Sequence, residues 1–351
     1  MPLPTTCAFR CYESSGRPLD VHRDGDRLSV VGEGRVGLRL RFADEAIPRL
    51  AVEDGSALPE GDVRHATAAF ALVSATRPEA DRIALDPTSF APIASPLRAQ
   101  GLAVAEGEAL TVHVDMLWQR PEPWLATLAQ RDFPARLVMS EGKRHPLRAP
   151  KPDGLVYARF IPWLGRTLSF RAATLDHDLD TLHRWMNDPR VDAAWGEAGE
   201  RAKHAAYLSA LIADPHMIPL IGAFDGEPFG YFEVYWAKEN RLAPFYDVQD
   251  YDRGWHVLIG EDAFRGRAFV SAWLPSLMHA LFLDDPRTER IVGEPRADHV
   301  QQLRNLERSG FARIKSFDFP HKRAALVMLL RERFFAERLW APSGGDPGAA
   351  P

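Results

Sequence analysis

The sequence predicts an α/β protein with a mixed central sheet flanked by helices, preceded by a smaller strand-rich domain. Three observations predict it. From residue 155 on, strand-like and helix-like segments follow in the order β-α-α-β-β-β-α-β-α-β-β. Residues 1–150 hold mainly short β-type runs bounded by Gly, Asp and Pro. The 351 residues exceed what one ordinary core supports. Two domains are therefore expected, at 1–150 and 155–340, with 343–351 as a disordered tail.

In the first domain, 28–31, 36–42 and 110–118 read as strands. Val36, Leu38, Leu40 and Phe42 alternate with Gly37, Arg39 and Arg41, which gives one solvated face. Residues 124–130 read as a short helix, and 141–154, with two prolines and several charges, as a linker. In the second domain, 168–172 is a strand and 176–187 a helix with Pro189 beyond its end. A second helix covers 200–213 and stops at Asp214-Pro215. Strands 218–224 and 229–236 flank Asp225-Gly226, a strong hairpin signal. Then come strand 255–260, a long apolar helix 267–283 containing Pro275, strand 290–293, helix 299–309 closed by Gly310, and strands 311–317 and 324–330.

Composition excludes several classes. The net charge of -5 and pI near 6.2 lack the basic footprint of nucleic-acid binding. No apolar run reaches the roughly 20 residues that span a bilayer, and the N-terminus has no secretory pattern. Cys7 and Cys11 could pair, but two cysteines are not a disulfide framework. No metal-ligand spacing occurs, so no metal is expected, and a reducing cytoplasm suits the chain. No glycine-rich nucleotide motif and no Gly-x-Ser-x-Gly elbow is found.

A few residues could carry chemistry. Arg265-Gly266-Arg267-Ala268 precedes the long helix, where amides and dipole favour an anion and Gly266 permits close approach. An ordinary polar turn is the bland alternative. His256 sits on a strand, either as a satisfied sheet-surface histidine or as a pocket group with a pKa near neutrality. Asp298 is either an N-cap, with Gln301 completing a capping box, or a general base. His321 could line a pocket, while Lys322 and Arg323 could be solvated turn charges. Trp185, Asn187 and Trp195 could wall an acceptor site or belong to the core. Tyr235, Trp236 and Lys238 are pocket candidates, and Asp252 and Arg253 could pair with each other.

The runs Leu182-His183-Arg184-Trp185-Met186-Asn187-Asp188-Pro189-Arg190-Val191, Tyr235-Trp236-Ala237-Lys238-Glu239, Asp252-Arg253-Gly254-Trp255-His256, Gly293-Glu294-Pro295-Arg296 and Phe319-Pro320-His321-Lys322-Arg323 carry a family resemblance. Together with the element order, they resemble the GNAT N-acetyltransferases, and within them the siderophore acyltransferases that act on hydroxylated lysine or ornithine. The resemblance covers residues 155–340. It implies acetyl-CoA or another acyl-CoA as co-substrate, a small hydroxylated diamino acid as acceptor, and a hydroxamate product. It implies an acyl-CoA cradle at Arg265, Gly266, Arg267 and Ala268 with Leu258 and Ile259 beside it, although Ala263 stands where the family motif has Gln or Arg. By resemblance to the mycobactin lysine acyltransferase branch, His256 and Asp298 take the substrate and base roles. His321, Trp236, Lys238, Trp185 and Asn187 are then the acceptor contacts. Larger family members carry a degenerate GNAT-like companion domain at the N-terminus, which residues 1–150 match in length. Neither the choice of lysine or ornithine, nor the acyl group, nor the oligomeric state is fixed by the sequence.

Overall fold

The structure, a computed structural model, describes residues 6–12, 17–53, 58, 63–126, 133–320 and 322–341. They group into two compact units, each described by itself below. The first holds the described residues up to 126 and residues 157–167; the second holds 133–156 and 168–341. Where the sequence places one boundary at 150–155, the chain changes units at 127–128, 156–157 and 167–168. The expected tail and His321 lie outside the described residues.

Alternating aliphatic residues build the first sheet. Leu19 and Val21, Leu28 and Val30, and Leu38, Leu40 and Phe42 are all buried. They lie on strands β2 (Pro18–Asp24), β3 (Arg27–Gly32) and β4 (Arg35–Ala43), between β1 (Thr6–Tyr12) and β5 (Arg49–Val52). Helix α1 (Arg64–Thr76) is rich in alanine and buried along most of its length. It leads to β6 (Arg82–Leu85), which runs parallel to β5. Helix α2 (Ala91–Ala99), β7 (Val104–Glu106), β8 (Ala109–His113) and α3 (Val114–Trp118) follow. The strand order is β1-β2-β3-β4-β5-β6-β8-β7.

Two local readings change here. The strand expected over 110–118 ends at His113, where Asp115 accepts the Met116 amide (2.9 Å) in the first turn of α3. Trp124 to Ala126 form turns and a bridge from Leu125 to Tyr157, not a helix, and 127–132 lie outside the described residues. Tyr157 belongs to β11 (Leu155–Ile161), a strand the sequence reading lacks, and Ala158 N–H donates to the Trp124 carbonyl (2.9 Å).

The second unit opens with a hairpin, β9 (Leu137–Ser140) and β10 (Lys143–Pro146), inside the stretch read as linker. It is anchored by Arg148, whose guanidinium donates twice to Glu239 (2.6 and 2.8 Å). The main sheet runs β12 (Arg166–Ala172), β13 (Met217–Phe224), β14 (Glu227–Trp236), β15 (Arg253–Ile259), β16 (Arg290–Gly293), β18 (Lys322–Leu330), β17 (Ala312–Phe319). Asp225 and Gly226, both at positive φ, turn β13 into β14. Helix α4 (Leu175–Met186) begins at Thr174, whose side chain caps His177 N–H (3.3 Å), and carries acids in its first turn and His183 and Arg184 in its last. Helix α6 (Arg201–Ala213) packs against α4 and β13.

Between them lies α5 (Pro189–Trp195), which the sequence reading missed because it took Pro189 as a stop. Here Asp188 caps the Arg190 amide (2.8 Å) and Pro189 opens the helix, a position where its missing N–H costs nothing. Helices α7 (Arg267–Asp284), α8 (Val300–Arg308) and α9 (Arg331–Ala336) complete the unit. No helix among the described residues is long and apolar enough to cross a membrane.

Candidate active site

The site forms where two strands part. β15 pairs with β16 in parallel only at Arg253–Ile291 and Gly254–Val292. On its other edge β15 stays paired with β14 through Ile259. In that ladder Ala237 N–H donates to the Asp252 carbonyl (2.9 Å) and Gly260 N–H to the Phe229 carbonyl (3.0 Å). The alternation of an antiparallel ladder therefore turns the backbone of Val257 and Ile259 away from β14, toward the gap. Trp195 Nε1 donates to the Val257 carbonyl (3.2 Å), and Arg265 donates to the Ile259 carbonyl (2.8 Å).

A cleft of about 290 Å³ opens there, lined by Val191, Trp195, Val257, Ile259, Gly266 and Trp273 among others. At one end stands the first turn of α7. Gly266 has φ 96° and ψ 175°, a conformation essentially reserved for glycine, and Val270 N–H closes the first turn onto its carbonyl (3.1 Å). The amide-rich, positive end of an eighteen-residue helix beside an apolar groove suits a pantetheine arm ending in phosphate. Leu258 is buried, and its side chain shares the His256 face of β15.

His256 lies on that face, opposite Glu233 of β14. Its Nδ1 meets Glu233 Oε2 and its Nε2 meets Glu294 Oε1, both at 2.9 Å. Tyr235 donates to Glu294 Oε2 (2.9 Å), and Tyr207 from α6 donates to Glu233 Oε1. Burial alone would push the His256 pKa down. The charge of Glu294 and the hydrogen bonds that the ring donates to both glutamates outweigh it and lift the imidazole to about 9. Burial likewise pushes Glu294 up, but His256, Lys322 and Tyr235 hold it at about 2. At neutral pH His256 is an imidazolium beside the Glu294 carboxylate.

The predicted site residues divide. The carboxylate that meets His256 is Glu294, whose side chain is 2% exposed. Asp298 is 69% exposed and pairs with Arg296 (3.0 and 2.8 Å), which holds its pKa low. Nor does Asp298 cap α8, because the N-cap is His299, accepting from Gln302 N–H (3.2 Å). Trp185 is fully buried in the core and donates to Glu261 (2.8 Å). Its ring lies so close to Gly260 that a Cβ there would come within 2.2 Å. Asn187 ends α4, exchanging hydrogen bonds with Gly199 (2.9 and 3.1 Å). Trp236 lies on the opposite face of β14 from Glu233 and Tyr235, clamped between Arg148 (4.1 Å) and Arg253 (4.0 Å). Lys238 donates to the Val248 carbonyl (3.1 Å) and so braces a loop. Asp252 pairs with Arg290 and Arg253 with Asp284 (2.6 and 2.7 Å), not with each other.

A sequence profile described as an acetyltransferase (GNAT) domain matches residues 174–319. An N(6)-hydroxylysine O-acetyltransferase of Escherichia coli is 43% identical over 227 residues, 64% of this chain and 72% of that protein. The chain belongs to the GNAT acetyltransferase family. An N(5)-hydroxyornithine:cis-anhydromevalonyl coenzyme A-N(5)-transacylase of Beauveria bassiana is 46% identical to this GNAT protein over 195 residues, 54% of this chain. The chain spans 43% of that relative's length. Among solved structures, an uncharacterized protein from Bacillus halodurans superposes on 54% of the chain and 96% of its own length, with TM-score 0.51 and 29% identity. In this GNAT protein, sequence reasoning missed Glu233, Glu294 and Tyr207. The available signal was a lone acid in the apolar run Phe229-Gly230-Tyr231-Phe232-Glu233-Val234-Tyr235-Trp236, since a buried charge needs a partner.

Proposed function

We propose that the protein is an acyl-CoA-dependent N-acyltransferase that acylates the hydroxylamino nitrogen of N6-hydroxylysine, N5-hydroxyornithine or a related hydroxylated amine. The product is a hydroxamate of the kind built into siderophores. The observation that carries this reading is the placement of the cleft and the Glu233–His256–Glu294 unit on one split strand. The relatives from Escherichia coli and Beauveria bassiana, an N(6)-hydroxylysine O-acetyltransferase and an N(5)-hydroxyornithine transacylase by name, support the acceptor class.

The thioester lies in the cleft, its carbonyl oxygen facing the Val257 and Ile259 amides, which stabilise charge as it develops there. The hydroxylamine is neutral at pH 7, so its lone pair attacks without prior deprotonation, and positioning supplies much of the acceleration. The attacking nitrogen becomes acidic as the N–C bond forms. Its proton passes to Glu294, a weak base that suffices for so acidic a group. The C–S bond breaks, CoA leaves as the thiolate, and the proton returns to it as the thiol. His256 stays protonated and holds Glu294 in place, with Glu233 and Tyr207 fixing the ring from its other side.

Thiol release from acetyl-CoA tests this, run in parallel with N6-hydroxylysine, N5-hydroxyornithine and lysine. Fast release with a hydroxylated acceptor and little with lysine is the expected result. Equal release with lysine, or none with any acceptor and any acyl-CoA, would overturn it.

A further inference from the structure

A cation beside Glu294 has no role in the chemistry above. Arg241 lies in the loop after β14, which is pinned by Asn240 N–H to the Ala237 carbonyl (3.2 Å) and by Leu242 N–H to Asn240 Oδ1 (3.0 Å). Its guanidinium stacks over Phe319 at 5.3 Å and is 53% exposed. Its nearest carboxylate oxygen is Glu294 Oε1 at 3.7 Å, beyond a hydrogen bond. Glu294 already accepts from His256 and Tyr235.

The neighbouring cations are otherwise engaged. Arg296 is tied to Asp298, Lys238 to the Val248 carbonyl and Asp250, and Lys322 Nζ donates to the Glu294 carbonyl (2.7 Å). Arg241 therefore keeps a planar fork of donors for an incoming anion, at the mouth of the site.

We propose that Arg241 binds the α-carboxylate of the acceptor, so that the natural acceptor is an N-hydroxylated α-amino acid and not a decarboxylated N-hydroxydiamine. The inference rests on the acyltransfer reading and adds how the acceptor is held. A carboxylate at the far end of a short aliphatic chain is within reach of a half-exposed arginine, and the pair can form two parallel hydrogen bonds. Arg241 and Lys322 together also disfavour an acceptor whose terminal ammonium has no carboxylate beside it.

The test compares N6-hydroxylysine with N-hydroxycadaverine, which lacks only the carboxylate, in wild type and R241Q. Turnover is read as thiol release from acetyl-CoA, and binding by calorimetry without acyl donor. Wild type should favour N6-hydroxylysine in kcat/KM by about tenfold or more, mostly through KM, as expected for one charge-assisted pair. R241Q should bring the ratio near one and leave the pH profile of kcat in place. Turnover with no preference between the acceptors in wild type would overturn the carboxylate anchor while the acyltransfer reading stands. Tight, Arg241-dependent binding of N6-hydroxylysine without turnover would uphold the anchor and overturn acyltransfer. Equal binding of both acceptors by wild type and R241Q would overturn the anchor whatever the turnover.

Discussion

The last seven strands of each sheet run in the same order, and the parallel pair falls at the same place in each, β5–β6 and β15–β16. The long helix follows the same strand in both, α1 after β5 and α7 after β15. Yet the two sheets differ in chemistry. In the first, the gap after the parallel pair is bridged, because Val52 N–H donates to Ser89 Oγ (3.1 Å). The acid-proline pair Asp86-Pro87 follows β6 as Glu294-Pro295 follows β16, but Asp86 turns its carboxylate to the Ser89 amide (2.8 Å). In the second, the gap is a cleft and Glu294 meets a histidine. The second sheet also carries α4, α5 and α6 between β12 and β13, where the first has only a tight turn between β2 and β3. The strand order thus supplies a gap, while inserted helices, two buried glutamates and a half-buried histidine set the second gap apart as the candidate site.

The sharpest way to break the comparison is to remove what only the second sheet has. His256→Asn should lower kcat by about a hundredfold or more, because two buried carboxylates lose their shared cation and Glu294 its fixed position. Steady-state thiol release measures it. Gly266→Ala should cost about 1–3 kcal/mol through its forbidden backbone geometry and weaken CoA binding, read by thermal melting and CoA titration.

The pH dependence has a definite sign. His256 is raised from its ordinary value to about 9, so its contribution to stability is full below about 6.5 and lost as pH rises through about 9. Glu294 is lowered to about 2, so its contribution is present above about 4.3 and lost as pH falls toward 2. Melting temperature against pH should show both limbs in wild type, and the His256→Asn variant should lack the alkaline one. The smallest effect belongs to the first sheet. Ser89→Ala should cost about 1 kcal/mol of stability and leave thiol release at the wild-type rate.

Much of the second unit was legible because helical and strand periods are local. The hairpin turn at Asp225-Gly226, the stop at Asp214-Pro215 and the long apolar helix are all where their residues put them. What failed was two-sided. Pro189 signals an end and a start equally, and only the Asp188 cap decides. Residues 141–154 carry loop-like composition, yet Arg148 finds Glu239 ninety-one positions away. In the candidate site, the strand position of His256 and the Gly266 turn before the long helix were legible. Its acids were not, since Asp298 and Glu294 are near neighbours in sequence and only the path of the chain after β16 separates an exposed ion pair from a buried partner. Trp236 and Trp185 illustrate the same limit, because an aromatic beside a site and an aromatic under it have the same sequence signature.

The central claim is that Glu294, held by His256, takes the proton during acyl transfer. The most direct measurement is thiol release from acetyl-CoA with the preferred hydroxylated acceptor, comparing Glu294→Gln and Asp298→Ala with wild type. We expect Glu294→Gln to lose about a hundred- to a thousandfold in kcat with CoA affinity retained, and Asp298→Ala to stay within about threefold of wild type. The reverse pattern, an inactive Asp298→Ala beside an active Glu294→Gln, would contradict the account.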